Sequence, residues 1–425
     1  MTNLQTLPQR SDGREEDAAT SGRNKTNEPR LLVLSSLFPS AATPSAGLFV
    51  RERMFRVARL LPLVVVSPRP WFPGQSLIRR WRPGYRPETP RRELVDGIEV
   101  HFPRFLAVPG MLRRLDGFFM ALACLPLLLK LRRSFGANLI DAHFAFPDGV
   151  AARHLSRWSG LPFTVTLRGT EPGHLQQKDR RGAIERVFRE ANRVIGVSRS
   201  LADLSTRHGA PPGRVRVVGN GVDIDKFVRQ DREQARSMLE LDTVGPVLIS
   251  VGGLVERKGF HRVIELLPEL RQRWRGLRYL IVGGASPEGD MSEALRGQVE
   301  RLGCGEIVRF CGQVAPASLS TYLSAADLFV LATRNEGWAN VFLEAMACGL
   351  PVITTNVGGN AEVVSTSAVG TVVPFGDRDA LMEAISDGLE RAWDRDRIVA
   401  YAKDNQWTKR IDALQTEFRA VVSEA

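Results

Sequence analysis

The sequence is short of the groups that hold disulfides, metal ions and membrane spans. Its 425 residues include only four cysteines, Cys124, Cys304, Cys311 and Cys348, with no C-x-x-C pair and no histidine at ligand spacing. That scatter argues against a disulfide framework or a zinc site, and unpaired thiols suit a reducing compartment. The longest apolar stretch, Phe118 to Leu129, covers 12 residues and contains Pro126, whereas a spanning helix needs ~20. Residues 1–29 are polar and mixed in charge, with no apolar core of the kind a signal peptide carries. They read as a disordered cytoplasmic tail.

Acidic residues are also in deficit, 47 against 58 Lys and Arg, for a formal charge of +11. The imbalance is local. Between Arg51 and Phe135 there are 17 basic and 6 acidic side chains, so the rest of the chain sums to zero. The same stretch holds Trp71, Phe72, Trp81, Phe118 and Phe119 and ends near LLLKLRR. Cations beside aromatic groups suit an anionic membrane surface, where each contributes ~1 kcal/mol. No nucleic-acid-binding motif accompanies them, and no nucleic-acid partner is expected.

What is present is a regular series of short apolar runs, each followed by a helical pattern. The first half has LLVLSS (31–36), LVVVS (63–67), IEVHF (98–102), NLIDAH (138–143), FTVTL (163–167), RVIGVS (193–198) and VRVVG (215–219). The second half has VLISVGG (247–253), YLIVGG (279–284), IVRFCG (307–312), LFVLAT (328–333), PVITT (351–355) and GTVVPF (370–375). Continuous β-branched runs indicate strands covered on both faces, as in a parallel sheet. Two doubly wound α/β domains follow, joined near Asn220 to Thr243. No G-x-G-x-x-G follows either first strand, which speaks against hydride transfer with a dinucleotide. In such sheets ligands collect at the carboxyl ends of the strands, so the residues just after the runs are the informative ones.

The densest constellation runs from Arg334 to Val364, RNEGWANVFLEAMACGLPVITTNVGGNAEVV. Glu336 falls on a loop and Glu344 inside the following helix, so the two carboxylates can enter one cleft from different directions. The amides of Gly337, Trp338, Ala339, Asn340 and Val341 open that helix and suit an anion such as a diphosphate. A carboxylate such as Glu344 can accept two hydrogen bonds from a ribose diol.

The order E-G-x-x-N-V-x-L-E-A-M-A-C-G-x-P-V-I, followed by V-G-G, resembles the donor-site signature of retaining glycosyltransferases of family 4. Gly219-Asn220-Gly221-Val222-Asp223 resembles the family's interdomain N-G-V-D. Val251-Gly252-Gly253-Leu254 with Lys258-Gly259 resembles its phosphate-binding segment. Asp141-Ala142-His143 and Arg168-Gly169-Thr170-Glu171 resemble its D-x-H and H-G-x-D, and Pro44 to Arg53 its first loop. The match spans roughly residues 31 to 400.

This resemblance implies a GT-B fold: two Rossmann-like domains facing across a cleft. The N-terminal acceptor-binding domain would cover 30–220 and the nucleotide-sugar-binding domain 221–396. Residues 397–425 would form a helix packing back towards the first domain. It further implies that Glu344 binds the ribose, Glu336 faces the donor sugar, Lys258 neutralises the diphosphate and His143 lies near the reacting sugar. Gly253 and Gly337 to Val341 would complete the donor site, and Gly47, Arg168 and Glu171 would line the acceptor side. No metal or other cofactor is expected, and no D-x-D stands between a strand and a loop; Lys and Arg supply the charge instead. The implied donor is a UDP- or GDP-sugar, and the acceptor a lipid-linked saccharide or polysaccharide. The implied place is the inner face of the cell membrane. A sugar-nucleotide 2-epimerase of the same architecture, or a binding subunit without turnover, stands as the alternative.

The chain departs from the pattern in several places. Gly253 stands where the family has Arg, and Arg257 can reach in to replace it. Arg168 replaces the usual His and Glu171 the usual Asp, while Trp338 and Ala339 replace Phe and Gly. Ala361 replaces a Pro before Glu362, which is therefore not assigned to the sugar.

Overall fold

The computed structural model describes residues 28–44, 46–82, 85–110, 112–241, 244–286 and 288–425. The tail expected over 1–29 therefore lies almost wholly outside the described residues. In chain order the strands are β1 (Leu31–Leu34), β2 (Leu63–Val66), β3 (Arg69–Trp71), β4 (Arg92–Val95), β5 (Ile98–His101), β6 (Arg104–Leu106), β7 (Leu139–His143) and β8 (Phe163–Leu167), then β9 (Arg193–Gly196), β10 (Val215–Val217), β11 (Val247–Val251), β12 (Arg278–Val282), β13 (Val308–Gly312), β14 (Leu328–Leu331), β15 (Val352–Thr355) and β16 (Gly370–Val373). They form two large sheets. The first has order β10-β9-β8-β7-β1-β2-β5-β4, the second β13-β12-β11-β14-β15-β16.

Every apolar run identified in the sequence forms a strand, and both sheets are parallel apart from the β4–β5 pair. LLVL, LVVV and FTVTL are buried along their whole length because helices cover both faces. Three strands lacked that signal. β4 reads RELV and is half exposed at the sheet edge, while β3 and β6 are three residues each. The β4–β5 hairpin turns on Asp96-Gly97, both at positive φ (48° and 79°), the two-residue turn that matches strand twist.

The strand order reverses between β1 and β7 in the first sheet and between β11 and β14 in the second. Crossover helices leave on opposite faces at such a point, which opens a crevice at the strands' carboxyl ends. The two crevices face one another.

The apolar helix Asp116–Ser134 accommodates Pro126 and buries Met120, Ala121, Cys124, Leu128 and Leu131 against the first sheet. No described helix is long and apolar enough to cross a membrane.

The carboxyl end corrects the single helix expected over 397–425. Helix Arg395–Asp404 belongs to the second domain, where Ile398 and Ala402 enter the core. The chain crosses at Asn405 and Gln406, beside the other crossing, with Val222 N donating to Asn405 O at 3.2 Å. Helix Trp407–Glu424 then buries Trp407, Ile411, Leu414, Phe418 and Val421 among Val50, Met54 and Val57 of the first domain. Each such side chain contributes ~1.5–3 kcal/mol. Arg193 ties the helix down through Glu417 (2.8 Å) and Glu424 (2.6 Å). Near the crossings, the fully buried Arg53 donates to Val218 O (2.6 Å) and Gly219 O (3.0 Å).

Candidate active site

The cleft between the domains has a volume of about 540 Å³ and is lined from both sides. On the second domain its wall comes from the loops after β11 and β14, the strands flanking the switch point. β14 ends at Leu331, and Ala332 to Ala339 lead into helix Asn340–Ala347. The amides of Gly337, Trp338 and Ala339 donate to no other group among the described residues. A helix start with open amides carries the positive end of the peptide dipoles, here facing the cleft.

Lys258 and Arg257 reach this wall from the loop after β11. Gly259 allows the turn: its φ is 76°, and a Cβ there would lie 1.9 Å from Ala332 O. Lys258 Nζ lies 2.5 Å from Glu336 Oε1, and Arg257 Nη1 lies 3.2 Å from the same oxygen. Arg257 is also held in a bidentate pair with Glu288, at 2.5 and 2.7 Å. Its pKa rises, first through the Glu288 hydrogen bonds and then through the charges of Glu336 and Glu288 against opposing burial. The two cations thus neutralise two carboxylates, Glu288 and Glu336. Glu336, expected at the donor sugar, and Lys258, expected at the diphosphate, both line the cleft and are paired with each other.

Glu344 is different. It is half-buried in helix Asn340–Ala347, and among the described residues no donor reaches its carboxylate. Burial pushes its pKa up to about 7, opposed by Lys226 and assisted by Glu52. A desolvated carboxyl with no partner has capacity for two hydrogen bonds from a ligand.

The first domain contributes Leu37, Phe49, Phe144, Arg168, Gly169 and Asn220 among others. His143 is not among them. It is fully buried beneath Arg168, whose Nη2 lies 2.8 Å from His143 Nδ1. Asp141 Oδ2 stands 3.3 Å from Nε2 without an aligned hydrogen bond, while Asp141 Oδ1 accepts from Thr164. Burial, then the Arg168 charge, lower the His143 pKa to about 4 against the pull of Asp141. His143 is thus a neutral imidazole behind the wall and does not touch the cleft. The larger guanidinium at 168 occupies the space in front of it.

Glu171 is corrected too. It is fully buried and accepts from the amides of Gly169 (2.8 Å), Arg168 (3.2 Å) and Ala145 (3.3 Å), so it shapes the loop rather than lining the acceptor side. Gly47 is likewise buried, at φ 68°, where a Cβ would lie 2.2 Å from Leu37 O; it allows the turn that presents Phe49. Gly253 does not line the cleft either, since its α-carbon faces Ser286. Arg257 does reach the wall.

The lobes touch at backbone level. A Cβ on Gly169 would lie 2.7 Å from Gly337 N, and one on Gly337 would lie 2.2 Å from Arg168 O. Trp338 packs on the cores of both domains, its ring against Gly219. Asn220 Nδ2 donates to Asn340 Oδ1 at 2.8 Å. Glu362 accepts from the Arg199 and Ser200 amides at 2.7 and 3.1 Å, capping helix Arg199–Arg207 of the opposite domain. Sequence reasoning missed Phe49, Glu288 and this role of Glu362. Phe49 adjoins a recognisable glycine turn, but nothing local marks the other two.

Among the described residues no group of three or more His, Cys, Asp or Glu is arranged to hold a metal ion. Asp223, followed by Asp225, is committed to its own turn and to Arg56.

Comparison with known proteins places this geometry in a family. Residues 52–226 match the model described as Glycosyltransferase Family 4, and residues 231–405 match Glycosyl transferases group 1. A Bacillus subtilis chain carrying the name teichuronic acid biosynthesis glycosyltransferase TuaC is 28% identical over 364 residues, covering 84% of this chain and 88% of its own. The D-inositol 3-phosphate glycosyltransferase of Frankia alni is 31% identical over 280 residues, or 62% of this chain and 69% of that one. Among solved structures, sucrose-phosphate synthase from Thermosynechococcus elongatus superposes with a TM-score of 0.75 at 21% identity, covering 94% of this chain and 100% of that one. Anabaena Alr3699/HepE in complex with UDP gives 0.68 at 21%, covering 93% and 100%. Those two likenesses establish the GT-B architecture. The chain is therefore a glycosyltransferase and belongs to glycosyltransferase family 4.

Proposed function

We propose that this enzyme transfers a sugar, with retention and without a metal ion, from a UDP- or GDP-sugar to a hydroxyl of a lipid-linked saccharide or polysaccharide, in building an exported or surface glycan. The observation that carries this reading is the combination at the β11/β14 switch point: an unpartnered carboxylate at Glu344, open amides from Gly337 to Ala339, and Lys258 beside them. A ribose diol satisfies the carboxylate, and a diphosphate satisfies the amides. Solved structures of the same fold whose titles record UDP and UDP-glucose favour a nucleotide-sugar donor.

In this reading the incoming diphosphate replaces Glu336 as the counterion of Lys258. Glu336, still near Arg257, then turns its oxygens to the donor sugar. As the bond between the anomeric carbon and the phosphate oxygen breaks, negative charge grows on the diphosphate, and Lys258 with the fixed amides stabilises it. The acceptor oxygen bonds to the same face of the anomeric carbon, and its proton passes to the departing phosphate oxygen. Two features favour this front-face route. His143 is buried and weakly basic, so it is no general base. Glu336 stays beside the Arg257 guanidinium, which lowers its power as a nucleophile.

The acceptor and location rest on the basic segment and the apolar groups within it. Trp81 is 88% exposed, and Leu77, Leu112, Phe118 and Leu122 are also exposed on the first domain. Such a surface suits anionic lipid at the inner face of the cell membrane. The names of relatives that include teichuronic acid and phosphatidylinositol monomannoside point the same way.

A thermal-shift panel of UDP-, GDP-, ADP- and dTDP-sugars in chelator tests the donor. A ligand at 100 times its Kd stabilises by about 2.7 kcal/mol, and Glu344→Ala should abolish that stabilisation. Absence of any response across the panel would sink the proposal. Flotation with anionic and neutral vesicles tests the membrane part: binding that ignores both lipid charge and salt refutes it.

A further inference from the structure

Three cations line the cleft among the described residues: Arg168, Arg257 and Lys258. The last two are spoken for, since Arg257 faces Glu288 and Glu336 and Lys258 faces Glu336. The second domain's wall is therefore close to neutral before any substrate enters. Arg168 has no carboxylate within ion-pair distance among the described residues. Its nitrogens donate to the neutral groups His143 Nδ1 (2.8 Å) and Asn220 Oδ1 (3.3 Å), and its guanidinium lies over the Phe49 ring at 5.3 Å.

Its position relative to the other wall is informative. The Arg168 carbonyl abuts Gly337, and the Asn220 side chain that accepts from Arg168 donates in turn to Asn340, the first residue of helix Asn340–Ala347. The guanidinium is thus one side chain removed from the helix start whose amides await an anion. Burial of this guanidinium is offset only by Asp141 and Glu171, neither within ion-pair distance of it, so an incoming anion would compensate it further.

We propose that Arg168 supplies, from the N-terminal domain, a third cation for the donor's diphosphate beside Arg257 and Lys258, so that the diphosphate is gripped from both walls and most tightly when the lobes are closed. This rests on the nucleotide-sugar reading above. His143 then acts as a positioning residue, its Nδ1 accepting from Arg168 and aiming it. The arrangement makes diphosphate binding and lobe closure one event, because the third cation reaches the ligand only where Gly169 meets Gly337.

Calorimetric titration of the full chain with UDP against UMP, and GDP against GMP, tests this. Wild type should prefer the diphosphate of the better base. Arg168→Gln should lose at least tenfold in that diphosphate's affinity and less than twofold in the monophosphate's. Arg168→Lys, which keeps the charge, should stay within about threefold of wild type for both. Equal losses for mono- and diphosphate in both variants would mean a structural role and overturn the proposal. So would unchanged nucleotide affinity in Arg168→Gln with a raised KM for acceptor alone, which would assign the cation to an anionic acceptor. A wild-type chain that binds none of the four nucleotides overturns the donor reading itself, whereas wild-type binding with an unaltered Arg168→Gln overturns only this inference.

Discussion

Glu344→Gln should make the ligand-free enzyme more stable at pH 8 while destroying its response to donor. The wild-type carboxyl is raised from 4.5 to about 7 by burial. A group raised on folding stabilises fully below its unfolded pKa, and that contribution disappears as pH climbs through the folded value. Each tenfold weakening of an acid corresponds to ~1.4 kcal/mol, so ionising Glu344 in the empty cleft costs on the order of 3 kcal/mol above pH 7. Partial exposure of the side chain reduces that to about 1–2 kcal/mol. The isosteric amide carries no charge to desolvate, so at pH 8 Glu344→Gln should melt about 2–8 °C above wild type, at ~2–4 °C per kcal/mol for domains of this size. At pH 4.5 the two should melt together. Asp148, also raised to about 7, titrates in both proteins and cancels in the comparison. Differential scanning fluorimetry at both pH values, with and without the best nucleotide sugar, reads all four quantities. On the proposed reading, in which ribose hydroxyls bind the ionised carboxylate, donor affinity should fall about tenfold for each step of one in pH below 7. A variant that is less stable than wild type at pH 8, or that keeps the full donor-induced stabilisation, refutes the reasoning.

Other outcomes follow from the contacts between lobes. Gly337→Ala places a methyl 2.2 Å from Arg168 O, so it should hold the lobes apart, lowering kcat/KM at least tenfold with little change in Tm; scattering that shows the same compact particle with donor as wild type would contradict this. Glu362→Ala removes the acceptor of the Arg199 and Ser200 amides, a cap of ~1 kcal/mol, and should raise donor KM about fivefold while leaving each domain's proteolytic stability intact; unchanged KM would argue against a closing role. Trp81→Ser with Leu77→Ser removes two exposed apolar groups and should weaken flotation with anionic vesicles several-fold while transfer to a soluble acceptor stays constant. Equal loss in both assays would instead indicate damage to the fold.

The relation between sequence and structure differs between scaffold and site. Runs such as LVVV (63–66) and LFVL (328–331) are strands because β-branched residues without alternation tolerate only burial on both faces, and the order of the runs dictates crossover connections. β4 escaped notice because an edge strand needs no continuous apolar run, although Asp96-Gly97 marked its turn. In the site, Lys258, Arg257, Arg168, Glu336, Glu344 and the 337–341 loop all line the cleft. His143, Glu171, Gly47 and Gly253 sit behind it as supports, because the D-x-H strand runs inside the sheet, the Glu171 carboxylate is taken by three backbone amides, and both glycines serve backbone turns or packing.

The amino-acid order by itself determined two parallel sheets, the loops that bear chemistry and the lack of an apolar run of bilayer length, since those depend on patterning within a few residues. Only the tertiary structure decided which charges neutralise which. Lys258 meets Glu336 across 78 positions, Glu362 caps a helix 163 positions earlier, and Arg168 has no carboxylate within ion-pair distance among the described residues. Electrostatic partnership depends on distance and on exclusion of water, and both arise when the lobes come together, beyond the reach of any local pattern.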